Sequence, residues 1–307
     1  MKKKIFMVLS AVIVLAMGVL VVACSKDSNA LNPNEEIVVE EVAPAPTLQK
    51  TNSAAEWAAF NLEVEKLNAK YLAPEVVGRA MRVGKDSGEL SQEQKDEIWQ
   101  VDAEGAKWGW RIGGLVGRII GGCAGNPVVG KWSGRIAGAV VVGGVCSALK
   151  WNELTGGCGL MVSVNPLPKI DDLETDSLAA VVGEQHNMII EDFINNPINL
   201  VSLSDSLILI DFTNRYERIF GAIQDSVKVL ITSTNLNEIH DFSPEVEKVT
   251  GDFGEATFGM DDNQMHDYTE EYLEIVDANL SDSEDKMLIK TYAGVAYYSS
   301  AMWVVEE

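Results

Sequence analysis

The chain has few of the residues that carry enzyme chemistry. It holds three histidines and four cysteines among its 307 residues. It contains no HExxH zinc motif, no GxSxG nucleophile motif and no P-loop, so these metalloprotease, hydrolase and nucleotide-binding signatures are absent. We therefore predict that the protein is not an enzyme and that it has no cofactor and no bound metal ion.

The three histidines give weak signals for a site. His186 falls on the apolar stripe of a predicted helix without a carboxylate three or four residues away, which favours a buried core residue. His266 and Glu270 have the i, i+4 spacing of a metal-binding pair, but one such pair is expected by chance in so acidic a chain. His240 precedes Asp241 in a predicted loop. A binding or enzymatic site around His186 or His266 stays open as an alternative.

Acidic residues are missing from one region and concentrated in another. Residues 161–307 contain 29 acidic and 7 basic side chains, which accounts for the net charge of −22 of the whole chain. Residues 105–151 contain no acidic residue, and their six cations are Lys107, Arg111, Arg118, Lys131, Arg135 and Lys150. Two interpretations stay open: this segment contacts anionic lipid headgroups, or it packs against the acidic half of the same chain. The negative net charge argues against nucleic acid as a partner.

The first residues have the pattern of an export signal. Three lysines precede an apolar run over residues 5–23, and small residues follow before Cys24. The sequence Val21-Val22-Ala23-Cys24 resembles the lipobox of bacterial lipoproteins, with valine in place of the commoner leucine. That resemblance implies lipidation of Cys24, and Ser25 implies transport to the outer membrane. An uncleaved N-terminal anchor helix is the alternative.

A polar, proline-containing linker follows the cysteine. Residues 25–50 carry few large apolar side chains, so they cannot bury enough surface to offset the entropy of ordering. We divide the chain into a signal peptide (1–23), the lipidated cysteine with a disordered linker (24–50), N-terminal helices with a glycine hairpin (51–160), and an acidic helical domain (161–307). Pairs with capping-box spacing, Ser53 with Glu56 and Ser91 with Gln94, mark two helix starts.

Glycine recurs at every fourth position through the basic segment. The first series is Gly105, Gly109, Gly113, Gly117, Gly121 and Gly125, and the second is Gly130, Gly134 and Gly138. The blocks KWGWRIGGLV and KWSGRIAGAV repeat 24 residues apart, with Pro127 between them. Because proline disfavours helix at the preceding residue, we predict two helices, about 91–123 and 130–150, folded as a hairpin.

A glycine stripe makes a groove in which another helix backbone can lie closely. The segment resembles the glycine-zipper hairpin of small outer-membrane lipoproteins, which implies an envelope-stabilising or membrane-associated role. It also resembles the glycine-rich part of bacteriocin-like peptides, which implies membrane perturbation. The resemblance covers about 45 residues of the chain. The simplest partner for the groove is the second helix of the hairpin, and self-association is the alternative.

The tryptophans of the hairpin also suggest contact with a membrane. Trp108, Trp110 and Trp151 fall at one end and Trp132 at the other, as in interfacial belts, and Arg111, Arg118 and Arg135 lie between them. However, Arg118 interrupts the first apolar run, and the second is shorter than the roughly 20 residues that a spanning helix needs. A spanning hairpin, an interfacial hairpin and a soluble packed hairpin all stay open.

Three cysteines remain after Cys24, so at most one disulfide can form within the chain. In an antiparallel hairpin Cys123 and Cys146 lie roughly 20 Å apart. Only Cys146 with Cys158 is a conceivable pair, and small buried thiols are the preferred interpretation.

The acidic half shows helical periodicity throughout. Apolar residues with three- and four-residue spacing predict helices over 176–197, 212–230 and 262–280, and the pair Ser281 and Glu284 predicts the start of a last helix. The predicted fold is all-α, a glycine-zipper hairpin with an acidic helical bundle. The predicted function is that of a lipid-anchored, non-enzymatic envelope protein, in which the hairpin serves helix packing, self-association or membrane contact. Its expected partners are the membrane, through the lipid, and another copy or an envelope protein.

Overall fold

A computed structural model of the chain describes residues 51–71, 91–123, 127–155, 177–200, 203–220 and 242–303. Eight helices make up nearly all of these residues, and no strand occurs among them. The all-α prediction is therefore confirmed for the described part of the chain. The helices are α1 (Ala54–Tyr71), α2 (Gln92–Cys123), α3 (Pro127–Thr155), α4 (Ser177–Asn195), α5 (Asp205–Phe220), α6 (Pro244–Thr257), α7 (Asp262–Asn279) and α8 (Glu284–Met302).

Two of the three predicted capping boxes are confirmed by their hydrogen bonds. The backbone N–H of Ser53 donates to the Glu56 carboxylate at 2.7 Å, and the Glu56 N–H donates back to the Ser53 hydroxyl. Ser91 and Gln94 make the same reciprocal pair at the start of α2. Each box satisfies backbone donors that the first helical turn leaves without partners.

The predicted start of the last helix at Ser281 is wrong by two residues. The N-cap is Ser283, whose hydroxyl accepts from the N–H of Lys286 at 3.0 Å. The N–H of Ser281 donates instead to the Glu56 carboxylate at 3.0 Å, which ties the approach to α8 to the start of α1. The spacing of Ser281 and Glu284 therefore resembled a capping box by coincidence, because Glu284 is already the first residue of the helix.

The other helix predictions differ in their bounds or were missed. The helix predicted from Phe212 begins at Asp205, and its predicted continuation beyond Phe220 lies outside the described residues. Sequence reasoning missed α6, although Ser243 followed by Pro244 is the usual signal of an N-cap and first helical residue.

The glycine hairpin forms as the antiparallel pair α2 and α3. A methyl group built on Gly109 would lie 2.0 Å from the carbonyl oxygen of Gly138, and one on Gly138 would lie 2.2 Å from that of Gly109. One turn further on, a methyl group on Gly113 would lie 1.8 Å from the carbonyl oxygen of Gly134. The glycine hydrogens thus point at carbonyl oxygens of the facing helix, the arrangement of weak Cα–H···O contacts.

Glycines away from the contact between Gly109 and Gly138 let other helices pack closely. Gly144 of α3 lies against the ring of Phe212 from α5, where an added methyl group would be 3.0 Å from that ring. A second backbone crossing joins α4 to α8: a methyl group on Gly294 would lie 2.4 Å from the carbonyl oxygen of Ala179. The described helices thus include a second close backbone crossing besides that of the hairpin.

One apolar core runs through all eight helices. Its large buried members include Phe60 of α1, Trp110 of α2, Phe212 of α5, Phe253 of α6 and Tyr268 of α7. The boundary that charge suggested at residue 160 is not a boundary of packing, because the hairpin and the acidic helices contribute to the same cluster. The part of the hairpin whose side chains are described thus contributes to the interior of the body.

Several sequence predictions fall outside the described residues. They are the signal peptide, Cys24, the linker to residue 50, Gly125, Cys158 and His240. The backbones of Gly117, Gly121 and Gly130 are helical, but the side-chain surroundings of residues 115–133, which include Arg118, Cys123 and Trp132, are not described. Within the described helices, no stretch is both long and apolar enough to cross a bilayer.

The hairpin contact makes a direct prediction about glycine substitution. We expect Gly109→Ala to lower the free energy of unfolding by about 2–3 kcal/mol, because the new methyl group overlaps backbone that cannot move freely. This loss exceeds the roughly 1 kcal/mol that alanine gains over glycine in helix propensity. Denaturant titration followed by circular dichroism measures the difference.

Gly251→Ala is the matched control for that substitution. Gly251 lies within α6, and a methyl group added there meets nothing within 4 Å. Only the propensity gain remains, so we expect this variant to be more stable than the wild type by about 0.5–1 kcal/mol. Equal effects of the two alanines would show that the α2–α3 contact does not limit stability.

Candidate functional site

A buried polar centre lies where the two helices of the hairpin meet α4 and α8. Its members are Asp102 of α2, Ser147 of α3, His186 of α4 and Ser299 of α8, each at most 1 % exposed. The hydroxyl of Ser147 donates to Oδ2 of Asp102 at 3.0 Å, and the hydroxyl of Ser299 donates to the same oxygen at 2.5 Å. One carboxyl oxygen thus links α2 to α3 and to α8.

His186 completes the centre from α4. Its Nε2 atom lies 3.7 Å from Oδ2 of Asp102, and its Nδ1 atom lies 3.2 Å from Oδ1 of Asn187. The amide nitrogen of Asn187 donates to the carbonyl oxygen of Tyr298 at 2.7 Å, so Oδ1 of Asn187 is left to accept a proton from His186. We therefore assign the imidazole proton to Nδ1, which leaves the lone pair of Nε2 facing Asp102.

A glycine makes room for the imidazole ring. A methyl group on Gly143 would lie 3.1 Å from Cδ2 of His186 and 3.2 Å from the carbonyl oxygen of Asp102. The glycines of α3 therefore have two roles. Gly134 and Gly138 face α2, and Gly143 admits the histidine of α4.

Burial favours the uncharged forms of both titratable groups in the centre. It raises the pKa of Asp102 well above its usual range, although the two serine hydroxyls act in the opposite direction. Burial also lowers the pKa of His186 to about 4, because its effect is larger than that of the hydrogen bonds with Asn187 and the backbone of Gly143, which raise this pKa. Burial therefore favours a carboxylic acid beside a neutral imidazole in this centre.

The residue types of the centre match a nucleophilic triad, but their connections do not. In a triad the histidine bridges the serine and the aspartate. Here both serine hydroxyls donate to the aspartate, and all four side chains are buried. This geometry supports a role in fixing the helices relative to one another, since a buried polar group is tolerated when its partners are in place.

The described cations of the hairpin pair with carboxylates of the same chain. Lys107, whose side chain is fully buried, lies 2.9 Å from Glu104 and 3.1 Å from Glu247. Arg135 lies 2.9 Å from Glu284 and also stacks over the Trp110 ring at 5.4 Å. Of the two interpretations of the basic segment, packing against the acidic half describes these side chains.

Two further hairpin cations have partners of their own. Lys150 lies 2.7 Å from Glu97, a residue of α2. Arg111 lies over the ring of Phe242 with its Cζ atom 4.5 Å from the ring centroid, a cation–π geometry. The side chains of Arg118 and Lys131 are not described.

The described tryptophans of the hairpin pack against other parts of the body. Trp110 is almost fully buried in the core. Trp108 meets Phe242 edge to face at 4.6 Å, and Trp151 meets Phe193 at 6.2 Å. Trp110 could contact lipid only if the hairpin opened, whereas Trp108 and Trp151 are half-buried at the surface of the body.

The other candidate positions do not converge on a site. His266 is partly exposed beside Asp267 at 3.2 Å, and its ring contacts Tyr297. Among the described residues, no group of three or more histidine, cysteine, aspartate or glutamate side chains is placed to hold a metal ion. Cys146 is a buried free thiol that packs against Gly105, and burial raises its pKa to about 12.

Comparison with known proteins gave no guide to this site. No family model, no curated protein and no solved structure matches the chain.

Sequence reasoning missed Asp102, although a local signal existed. Asp102 follows Ile98 and Trp99 by four and three residues and precedes Ala106 by four, so the helical period places it on the buried face of α2. A carboxylate on an apolar stripe requires buried partners. Those partners come from three other helices, which no local pattern identifies.

The uncharged state of the centre predicts different effects for two substitutions of Asp102. Asp102→Asn keeps an oxygen at the Oδ2 position that accepts from both serines, and it is uncharged at every pH. We expect its free energy of unfolding at pH 7 to stay within about 1 kcal/mol of the wild type. Asp102→Ala leaves both hydroxyls without their acceptor and creates a cavity, so we expect a loss of about 2–4 kcal/mol.

The pH dependence of stability gives a second test of this uncharged state. Because the folded-state pKa of Asp102 is raised, its contribution to stability falls as pH rises from 3.8 through that pKa. The asparagine variant should lack this fall when unfolding is measured between pH 5 and 9. An asparagine variant as unstable as the alanine variant would mean that the centre needs an ionised carboxylate beside a protonated His186.

Proposed function

We propose that this protein is a lipid-anchored lipoprotein of the bacterial cell envelope, without enzymatic activity, in which the glycine hairpin is the internal spine of a helical body. The sequence Val21-Val22-Ala23-Cys24 supports the anchor, and Ser25 supports the outer membrane as its location. The polar linker of residues 25–50 supports a body held away from the lipid. A triacylated cysteine anchors stably, whereas a single chain holds only marginally.

One observation supports this internal role of the hairpin: the described glycines of α2 pack against α3 of the same chain. Gly109 and Gly113 face Gly138 and Gly134, so the groove between residues 105 and 114 is already filled by α3. Self-association or binding of an envelope protein would therefore use a surface other than this described part of the groove. The lipid is then the contact with the membrane, and the helical body is the part that meets other molecules.

The membrane-active effector is the weaker alternative. To enter a bilayer, the hairpin would have to break the Lys107–Glu247 and Arg135–Glu284 pairs and expose Trp110. It would also open the polar centre around Asp102, whose serine partner Ser299 lies on α8. These costs support a hairpin that stays docked.

Phase separation of the full chain in a cloud-point detergent tests the anchor. We expect the wild type in the detergent phase, with an acylated Cys24 at the start of the mature chain by mass spectrometry. Cys24→Ala should move to the aqueous phase with its helical circular dichroism unchanged, and Cys158→Ser should behave as the wild type. A wild type in the aqueous phase, or a Cys24→Ala variant in the detergent phase, would contradict the proposal.

The same Cys24→Ala protein, purified without its leader, tests the docked hairpin. We expect it to stay in the supernatant when anionic vesicles are sedimented at low salt, because the described hairpin cations are paired internally. Sedimentation with the vesicles that raised salt suppresses would favour the effector.

A further inference from the structure

Helix α1 is attached to the body along one face. Its buried side chains have the three- and four-residue spacing of an amphipathic helix, and they are Trp57, Phe60, Val64 and Leu67. Leu62, on the opposite side of the helix, is 53 % exposed. The buried stripe packs on α7, with a smaller contact with α6. Neither helix of the hairpin makes a comparable contact with α1 among the described residues.

The surface that receives this stripe is aromatic. The ring of Phe60 meets that of Tyr272 edge to face at 5.7 Å, and the ring of Tyr71 meets that of Tyr268 in the same way at 5.4 Å. Tyr268 and Tyr272 of α7 are at most 1 % exposed. We call this surface the α1 seat. Departure of α1 would uncover two large rings of the seat, so an empty seat requires another helix of the same shape.

Polar contacts at both ends of α1 fix its direction and register in the seat. At the first end, Nδ2 of Asn52 donates to the carbonyl oxygen of Ser281, just after α7, at 3.1 Å. At the last end, the hydroxyl of Tyr71 donates to Oε1 of Glu271 at 2.7 Å, and Lys70 pairs with the same carboxylate. The seat therefore specifies this helix closely, whichever copy of the chain supplies it.

The chain between α1 and α2 is long enough for α1 to reach another copy. Residues 72–90 separate Tyr71 from Ser91, the residue that caps α2. A chain of that length spans at most about 60 Å, which exceeds the distance between neighbouring seats in two touching copies of a body this size. Hence α1 can lie on a neighbour while α2 stays in its own hairpin.

We propose that α1 is an exchangeable element: the α1 seat, which is filled within one chain, also accepts α1 of a second copy. The inference deepens the self-association considered above and rests on the proposed function only for the crowding of anchored copies. Two copies that exchange α1 fill both seats with the same contacts and form a closed dimer. Because each arrangement leaves no seat empty, mass action decides between them, and the dimer gains as protein concentration rises.

Crosslinking between two different copies tests the exchange without the lipid. One copy carries Lys70→Cys, the other carries Glu271→Cys, both also carry Cys24→Ala, and each has its own affinity tag. The side chains of Lys70 and Glu271 are 59 % and 36 % exposed, so neither substitution enters the core. We expect a short bismaleimide to join the two copies, with a yield that rises with protein concentration. Mass spectrometry of the joined peptides identifies the two positions.

Two controls make the crosslinking decisive. A chain that carries both substitutions should be joined within one copy at high dilution, since its α1 then lies in its own seat. Leu62→Cys, two helical turns earlier on the exposed side of α1, replaces Lys70→Cys as the matched control, and we expect no comparable joining. The proposal is overturned by joining between copies that does not exceed this control, that does not rise with concentration, or that is missing within the doubly substituted chain.

Native-state hydrogen exchange gives a second readout that needs no substitution at the seat. Exchange of α1 between copies requires this helix to leave the seat while the hairpin stays folded. We therefore expect amides of α1 to open with a lower free energy than those at the centre of α8. An α1 that opens only together with α8 would contradict the proposal. Neither experiment depends on lipidation of Cys24, so a failed exchange and a failed anchor give separate results.

Discussion

The backbone contact between Gly109 and Gly138 sets the distance between the two longest helices, and the remaining helices are placed on that pair. With a hydrogen in place of a side chain at each crossing position, α2 and α3 approach until carbonyl oxygens meet glycine Cα atoms. Gly143 and Gly144 then receive His186 and Phe212 from α4 and α5. The helix propensity lost at Gly109, Gly138, Gly143 and Gly144 is offset because a neighbouring helix packs against each of them.

The charge asymmetry of the sequence becomes complementarity inside the fold. A basic hairpin and an acidic half would repel other copies of themselves, yet they attract each other within one chain. In the pairs Lys107–Glu247 and Arg135–Glu284 a buried cation of the hairpin meets a partly exposed carboxylate of the acidic half. The polar centre around Asp102 adds hydrogen bonds at the same interface. Apolar burial holds the body together, and these polar contacts fix which helices meet.

Local patterns gave most of the fold, and long-range partners account for what they missed. The hairpin was predictable because glycine spacing and Pro127 act within a few residues. The start of α8 was not, because the N–H of Ser281 bonds to Glu56 on a distant helix. The basic segment had two open interpretations because a sequence shows the charge of Lys107 but not its partner Glu247. Asp102 was overlooked for the same reason, since the residues that satisfy it lie on α3 and α8.

The central claim is that the hairpin is part of the folded body. Native-state hydrogen exchange of the full chain, with and without anionic vesicles, tests it most directly. If the hairpin is internal, amides near Gly109 and Gly138 exchange with the same opening free energy as the buried centre of α8, and vesicles leave that value unchanged. Amides of the hairpin that open well before those of α8, or that lose protection only when vesicles are added, would contradict the account.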